Sequence, residues 1–278
     1  MRGMVDENAQ ISLDGQVGVV TGGGRGIGRE IALHLARAGM KVAVTARTES
    51  ELEEVVETIT SRGGTAMARV MDVLDGNSVE QAFAAVVDQL GPVDLLVNNA
   101  GIIGKEGQPW QVDLEDWWRV MEVNVKGAMR CCQAVLPSMV LRGKGRIINM
   151  GSNAAFIEIP VTFPIESAYP VSKAALARLG EVLATYTKEH GIPVFTISPG
   201  MVRTEMTKVF NEGENKIPDD AWTPVEKAAE LCLFLAGGRA DVLTGRYIHA
   251  RTDDVREMVR RADEIKGRGL HRMNFPAL

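Results

Sequence analysis

Short apolar segments alternate with amphipathic segments along most of this 278-residue chain, and this alternation constrains the fold more than any other feature. The apolar segments predict strands at residues 17–21, 41–46, 65–70, 93–97, 146–150, 194–198 and 246–249. The amphipathic segments predict helices at residues 29–38, 52–59, 78–90, 113–141, 168–189 and 224–235. Strands separated by such helices form βαβ units, and strands that are apolar throughout suit a parallel sheet covered on both faces.

The predicted fold class is therefore α/β, a Rossmann-like doubly wound parallel sheet with helices on both faces. No linker or internal repeat interrupts the pattern, so residues 1–278 are predicted to form a single domain. Residues 1–12 are predicted to be an N-terminal tail. Residues 252–278 are predicted to be a C-terminal extension, in which an apolar stripe indicates a helix at 252–266 capped by Thr252 or Asp253.

Charge and composition disfavour several classes of protein. A net charge of −5 is unlike that of a dedicated nucleic-acid binder, because such proteins need a basic face to displace counterions from phosphate. No apolar run approaches the roughly 18 residues of a membrane span, and the polar N-terminus does not resemble a secretory signal, so the expected location is the cytoplasm. Cys131, Cys132 and Cys232 are expected to be small core residues, and the scattered histidines predict no metal site.

A glycine-rich loop at residues 21–28, TGGGRGIG, lies between the first predicted strand and the first predicted helix. Glycines lack a Cβ, so a pyrophosphate can approach their backbone closely, and the following helix presents free N–H groups and the positive end of its dipole. The spacing is TGxxxGxG rather than GxGxxG, and no Gly-Lys-Ser/Thr sequence follows, which disfavours a P-loop nucleotide hydrolase. The residues expected to bind a dinucleotide here are Thr21, Gly22, Gly24, Arg25, Gly26, Ile27 and Gly28.

Further motifs follow the glycine loop in a fixed order. They are Asp72-Val73, NNAG at 98–101, Asn124 in EVNVKG, Ser152, Tyr169 and Lys173 in a YxxxK motif, and Pro199-Gly200 with Thr204 in a PGxxxT motif. With these motifs, residues 13–249 resemble the short-chain dehydrogenase/reductase family. The resemblance implies a nicotinamide cofactor, bound in addition by Asp72, Val73, Asn99, Ala100, Gly101, Tyr169, Lys173, Pro199, Gly200, Val202 and Thr204.

The end of the second predicted strand indicates which cofactor is preferred. Rossmann enzymes that prefer NAD place an acidic residue there to accept hydrogen bonds from the ribose 2′-hydroxyl. This chain has Ala46 at that position, followed by Arg47, whose guanidinium suits phosphate oxygens. Arg25 in the glycine loop can approach the same phosphate from the other side. The sequence therefore predicts NADP(H).

The YxxxK motif predicts the chemistry of the site. Tyr169 and Lys173 lie one turn apart near the start of a helix whose expected N-cap is Ser167. A nearby ammonium lowers the pKa of a phenol, so Tyr169 is expected to act as general acid or base, with its pKa lowered by Lys173. The resemblance implies that Lys173 also holds the nicotinamide ribose, that Ser152 donates a hydrogen bond to the substrate oxygen, and that Asn124 positions a water.

Two loops depart from the family pattern. Ser152 and Tyr169 are 17 positions apart, longer than the usual family spacing, so residues 155–168 form an insertion expected to overhang the substrate. That insertion and residues 201–222, which carry Met206, Val209, Phe210 and Trp222, suggest a hydrophobic or aromatic carbonyl substrate, and Glu158 and Glu166 disfavour an anionic one. The alternative is that these apolar side chains only pack the loops down.

The combined prediction is an NADP(H)-dependent oxidoreductase that interconverts a ketone and a secondary alcohol, with no metal, nucleic-acid or membrane partner. The resemblance implies a homo-oligomer, a tetramer or dimer, packed through the helices at 113–141 and 168–189. A 3-oxoacyl-thioester reductase is the neighbouring enzymatic alternative, because it uses the same four residues. The alternative from another class is a non-catalytic regulator that senses NADP(H), although such a protein has no need of a proton donor.

Overall fold

Seven strands lie at the centre of the structure, a computed structural model that describes residues 11–159, 167–210 and 216–273. The strands are β1 (Val17–Thr21), β2 (Lys41–Ala46), β3 (Ala66–Val70), β4 (Leu95–Asn98), β5 (Arg146–Met150), β6 (Val194–Ser198) and β7 (Tyr247–His249). They form one parallel sheet in the order β3-β2-β1-β4-β5-β6-β7. The order reverses direction between β1 and β4, so a crevice opens there at the carboxyl ends of the strands.

The helices connect successive strands and cover both faces of the sheet. They are α1 (Gly26–Arg37), α2 (Glu49–Thr60), α3 (Gly76–Leu90), α4 (Leu114–Met121), α5 (Ala128–Arg142), α6 (Ala168–Thr187), α7 (Val225–Ala236), α8 (Val255–Arg260) and α9 (Ala262–Gly267). One core packs α1, α2, α7 and the two last helices against the sheet, and the second packs α3, α5 and α6 against the other face. The predicted Rossmann-like α/β fold is confirmed. In the described parts of the chain, no helix has the length and apolar character to cross a membrane.

The helix predicted at 113–141 is interrupted. Asp113 caps α4 as predicted, because its carboxylate accepts hydrogen bonds from the backbone N–H groups of Glu115 and Asp116. A turn of π-helix at Glu122–Gly127 then separates α4 from α5. This turn carries Asn124 and widens the helix at a position next to the crevice, as π turns often do at functional sites.

The C-terminal extension differs from its predicted form. Two short helices replace the single helix expected at 252–266, and Asp254 caps the first of them, so the predicted caps Thr252 and Asp253 are wrong. Asp253 instead accepts a hydrogen bond from the backbone N–H of His249 at 2.7 Å. The apolar stripe is nevertheless buried in the first core, where Met258 is 6% exposed. Of the predicted tail at 1–12, residues 1–10 lie outside the described residues, whereas Ile11 is buried in the same core.

The segment after α9 runs along the outer edge of β7. The backbone N–H of Tyr247 donates to the carbonyl of His271 at 2.9 Å, and the Nδ1 atom of His271 lies 3.2 Å from the carbonyl of Tyr247. The backbone N–H of Met273 donates to the buried carboxylate of Glu181 on α6 at 2.6 Å. This segment therefore covers the outward-facing polar groups of Tyr247.

Candidate active site

A cleft of about 880 Å³ lies at the carboxyl ends of the strands, beside the point where the strand order reverses. The carboxyl end of β2 contributes one wall, the glycine loop the floor, and the start of α6 the far end. Most residues predicted to bind the cofactor line it. They are Gly22, Gly24, Arg25, Gly26, Ile27, Arg47, Asp72, Val73, Asn99, Ala100, Gly101, Tyr169, Lys173, Pro199 and Thr204.

The other predicted site residues do not line the cleft, and several support it from behind. These residues are Thr21, Gly28, Asn124, Ser152, Gly200 and Val202. The Thr21 hydroxyl accepts hydrogen bonds from the backbone N–H groups of Asn99 and Ala100, both at 3.0 Å, and so joins the end of β1 to the end of β4. A Cβ on Gly28 would lie 2.2 Å from the carbonyl oxygen of Gly22, so Gly28 permits close packing of helix and loop.

The glycine loop leaves the start of α1 open. Gly22 and Gly26 have φ values of +62° and +54°, a backbone region that favours glycine. Arg25 occupies the N-cap position of α1 but forms no side-chain cap hydrogen bond. The first N–H groups of α1 therefore have no side-chain cap at the floor of the cleft, an arrangement suited to a phosphate.

Tyr169 and Lys173 lie on the first turns of α6 at the far end of the cleft. The Lys173 ammonium lies 5.5 Å from the centroid of the Tyr169 ring and donates a hydrogen bond of 2.8 Å to the carbonyl of Met150. Lys173 is only 4% exposed, and burial lowers its pKa to about 8. Ser167 precedes the helix but does not cap it, because its backbone is itself helical, with φ −57° and ψ −25°; its hydroxyl accepts a hydrogen bond from the Trp117 indole.

The electrostatics of Tyr169 differ from the sequence expectation. Burial raises the pKa of the Tyr169 hydroxyl, and a hydrogen bond with Ser152 opposes that rise. The predicted lowering by Lys173 is therefore not the dominant effect in this structure. The Ser152 hydroxyl also accepts a hydrogen bond from the backbone N–H of Ala154 at 3.2 Å, so Ser152 both caps a short turn and contacts Tyr169.

Asn124 connects three parts of the site although it does not face the cleft. Its Oδ1 atom accepts a hydrogen bond of 2.8 Å from the backbone N–H of Ile102, and its Nδ2 atom donates one of 2.9 Å to the carbonyl of the same residue. The Nδ2 atom also donates to the Ser172 hydroxyl, which in turn donates to the carbonyl of Tyr169. Asn124 thus holds the loop after β4 against the helix that carries Tyr169 and Lys173.

In the two loops predicted to form a substrate pocket, some apolar side chains pack into the protein and others line the cleft. Phe210 and Trp222 are buried, so the packing alternative holds for them, whereas Met206 lines the cleft. In the insertion, residues 160–166, with Glu166, lie outside the described residues, and Glu158 is exposed and does not line the cleft. The Phe156 ring packs edge-on against Tyr247, with ring centroids 4.6 Å apart.

Sequence reasoning missed several residues that line the cleft. They include Glu51, Ile102, Ile103, Lys105, Asp116, Arg119, Arg203 and Glu205. The loop at 102–105 could have been found, because it directly follows a strand at the crevice. Asp116 and Arg119 lie on α4, and no local pattern marks them, because their place depends on how α4 packs against α6.

Comparisons with known proteins show which family this chain is similar to. A family model described as short chain dehydrogenase matches residues 16–215. A galactitol 2-dehydrogenase from Rhizobium johnstonii is 37% identical over 85% of this chain and 94% of its own length. A 3-oxoacyl-(acyl-carrier-protein) reductase from Vibrio cholerae is 32% identical over 86% of this chain and 97% of its own length. A solved gluconate 5-dehydrogenase from Burkholderia cenocepacia, in complex with NADP and tartrate, is 28% identical, with a TM-score of 0.80 over 87% of this chain and 96% of that chain.

Proposed function

Because the chain belongs to the short-chain dehydrogenase family, we propose that it is an NADP(H)-dependent oxidoreductase that interconverts a ketone and a secondary alcohol. The observation that carries the proposal is the placement of Tyr169 and Lys173 at one end of a cleft whose floor is the glycine loop. The same cleft, with a volume of about 880 Å³, is lined by Arg47 as well as by Tyr169.

The residues present fit a nicotinamide dinucleotide. The uncapped start of α1 suits the pyrophosphate. A Cβ at Gly26 would lie 3.3 Å from the Thr204 side chain, so a glycine there keeps the space between the loop and the PGxxxT segment open. Asp72 and Val73 line the cleft where the adenine would lie, and Lys173 and Pro199 line it at the nicotinamide end.

The preference for NADP(H) over NAD(H) is supported by the charge at the carboxyl end of β2. Ala46 leaves that position without a carboxylate, and Arg47 follows it at the exposed rim of the cleft. Arg25 lines the same end of the cleft. Two guanidinium groups there favour a 2′-phosphate, because each can form charge-assisted hydrogen bonds to its oxygens.

In the proposed mechanism, Tyr169 donates its hydroxyl proton to the carbonyl oxygen during reduction and accepts it during oxidation. The bound cofactor supplies or accepts the hydride. Ser152 shares a hydrogen bond with Tyr169 and stabilises negative charge that develops on the substrate oxygen. Lys173 favours the phenolate through its positive charge, and Asn124 holds the loop after β4 in register with α6.

The substrate is proposed to be a hydrophobic or aromatic carbonyl compound, because Ile102, Ile103, Met150 and Met206 line the cleft. A 3-oxoacyl thioester is the second candidate, favoured by the likeness to the Vibrio cholerae reductase over nearly the full length of that protein. The four predicted catalytic residues are all present, which argues against a non-catalytic NADP(H) sensor.

We also propose that the chain forms a homo-oligomer through α4, α5 and α6. These helices expose large apolar side chains, with Leu114, Leu141 and Tyr186 exposed by 76%, 88% and 77%. Large apolar side chains that face solvent on these helices support an interface, because burying them against a second copy removes apolar surface from water.

The proposal is tested with aromatic ketones, aliphatic ketones, secondary alcohols and a 3-oxoacyl thioester, each assayed with NADPH and NADH by nicotinamide absorbance. We expect turnover with NADPH, and we expect Tyr169→Phe to bind NADPH normally while kcat falls by roughly 10²–10⁴-fold. Retention of most of the rate in Tyr169→Phe would contradict the mechanism. Equal efficiency with NADH would contradict the cofactor preference, and binding without turnover of any substrate would favour the sensor.

A further inference from the structure

An ion pair lies in the end of the cleft that is proposed to receive the 2′-phosphate. The Nη1 atom of Arg25 lies 3.1 Å from the Oε1 atom of Glu51, and both residues line the cleft together with Arg47 and Thr48. The Arg25 side chain is 64% exposed and that of Glu51 is 31% exposed, so solvent can replace either partner. We refer to these two residues as the Arg25–Glu51 pair.

The sequence around Glu51 would ordinarily direct its carboxylate elsewhere. Residues 48–51 read Thr-Glu-Ser-Glu, which has the spacing of a capping box, in which the glutamate side chain accepts a hydrogen bond from the backbone N–H of the N-cap residue, here Thr48. In α2, Thr48 forms no side-chain cap hydrogen bond, and the carboxylate of Glu51 instead contacts Arg25 of the glycine loop. The carboxylate of Glu51 therefore lies in the cleft and does not cap α2.

Packing against the glycine loop limits how far the Glu51 side chain can move away from Arg25. A Cβ added to Gly24 would lie 2.9 Å from the Cβ of Glu51, so the stem of Glu51 rests against the glycine loop. Any ligand group that binds between Arg25 and Arg47 must therefore share that space with a carboxylate. Arg25, Arg47 and Glu51 together carry a formal charge of +1, whereas the two arginines alone would carry +2.

We propose that Glu51 is a specificity-determining residue that weakens discrimination in favour of NADP(H), because it engages Arg25 and repels a 2′-phosphate. This inference rests on the proposed function of the cleft. A dianionic phosphate competes with Glu51 for Arg25 and experiences its negative charge, whereas a ribose hydroxyl does neither. An exposed ion pair contributes little net stability, so Arg25 remains available to the phosphate, but at reduced affinity.

The test compares dissociation constants for NADPH and NADH at one fixed ionic strength, measured by the fluorescence of the bound nicotinamide. The variants are Glu51→Gln, Arg25→Gln, the double variant, and Glu53→Gln as a control. Glu53 lies on the same helix, is exposed and does not line the cleft, so Glu53→Gln removes an equal charge outside the pair.

We expect Glu51→Gln to tighten NADPH binding by about three- to tenfold and to change NADH binding by less than about twofold. In the Arg25→Gln background, the same replacement of Glu51 should tighten NADPH binding by a smaller factor. Glu53→Gln should change the ratio of the two constants by less than about twofold. A ratio in Glu51→Gln that equals that of the wild type, or that shifts toward NADH, would overturn the inference. The wild-type ratio by itself tests the proposed cofactor preference, so the failure of either idea can be recognised separately.

Discussion

At the scale of single residues, the buried ammonium of Lys173 is the most unusual ionisable group of the site. It is 4% exposed, lies 5.5 Å from the centroid of the Tyr169 ring, and has the carbonyl of Met150 as a hydrogen-bond acceptor. Burial disfavours its charged form and lowers its pKa to about 8. The fold therefore gives up stability to keep a cation beside a phenol, as functional sites often do.

This burial predicts a specific dependence of stability on pH. The folded pKa of about 8 lies below the ordinary lysine value of 10.5, so between these values the unfolded chain binds more protons than the folded chain, and stability rises with pH. We expect the free energy of unfolding of the wild type, minus that of Lys173→Met, to rise by roughly 3 kcal/mol across this window. Urea titrations at several pH values measure it. A difference that is flat or falls with pH would contradict the burial of a charged Lys173.

Gly28 provides a second test at the residue scale. A Cβ there would lie 2.2 Å from the carbonyl oxygen of Gly22 and 2.5 Å from the Nδ2 atom of Asn99. Gly28→Ala should therefore lower the free energy of unfolding by roughly 1–3 kcal/mol and weaken NADPH binding, because the loop must move. Gly76→Ala is the matched control, because nothing lies within 4 Å of an added Cβ and the residue begins a helix. Similar losses in the two variants would contradict the steric argument.

At the scale of secondary-structure elements, the interruption between α4 and α5 determines where the loop after β4 lies. The apolar periodicity continues through 113–141, so the sequence predicted one helix, and Asp113 marked its start correctly. The local sequence carries no signal for the π turn at Glu122–Gly127, and Asn124 within it forms its hydrogen bonds with Ile102, a residue distant in sequence. The cap at Asp254 was missed for a similar reason, since Asp253 is engaged by β7.

Replacement of Asn124 tests this element directly. Asn124→Ala leaves the N–H and carbonyl of the half-buried Ile102 without their Asn124 partners, and an unpaired backbone group costs up to about 1–3 kcal/mol where water does not replace the partner. We expect the free energy of unfolding to fall by roughly 2–4 kcal/mol, together with a loss of kcat. Asn77→Ala, at an exposed position on α3, should change stability by less than about 0.5 kcal/mol. Unchanged stability in Asn124→Ala, measured in urea, would show that the bridge to Ile102 is not structural.

At the scale of the whole molecule, the fold could be predicted because several local patterns each indicate a position in a parallel sheet. These patterns are the apolar strands, the glycine loop and the YxxxK helix. Residues that touch the cofactor cleft directly after a strand, such as Asn99 and Pro199, were found for that reason. Glu51 and Arg119 were not, because they reach the cleft from helix surfaces. The raised pKa of Tyr169 was also missed, since burial is set by the packing of several segments.

The three cysteines report on the integrity of the whole molecule. Cys131, Cys132 and Cys232 are all 0% exposed, and burial raises the pKa of Cys131 and Cys132 to about 12. We expect Ellman's reagent to label none of them within minutes in the native state and all of them in guanidinium, because the thiolate is the reactive form. Ser61→Cys, at an exposed site after α2, should react at once under native conditions. Rapid native labelling of the wild-type protein would show that one core opens readily.

The sheet has two edge strands, β3 and β7, and the C-terminal segment of the same chain covers the edge at β7. His271 pairs with both outward backbone groups of Tyr247, and Glu181 accepts a hydrogen bond from the backbone N–H of Met273, two residues further on. An open margin of this kind recruits strands from other molecules. Truncation before Leu270 would therefore expose this edge and promote aggregation during expression, so the yield of soluble protein depends on the few residues that cover β7.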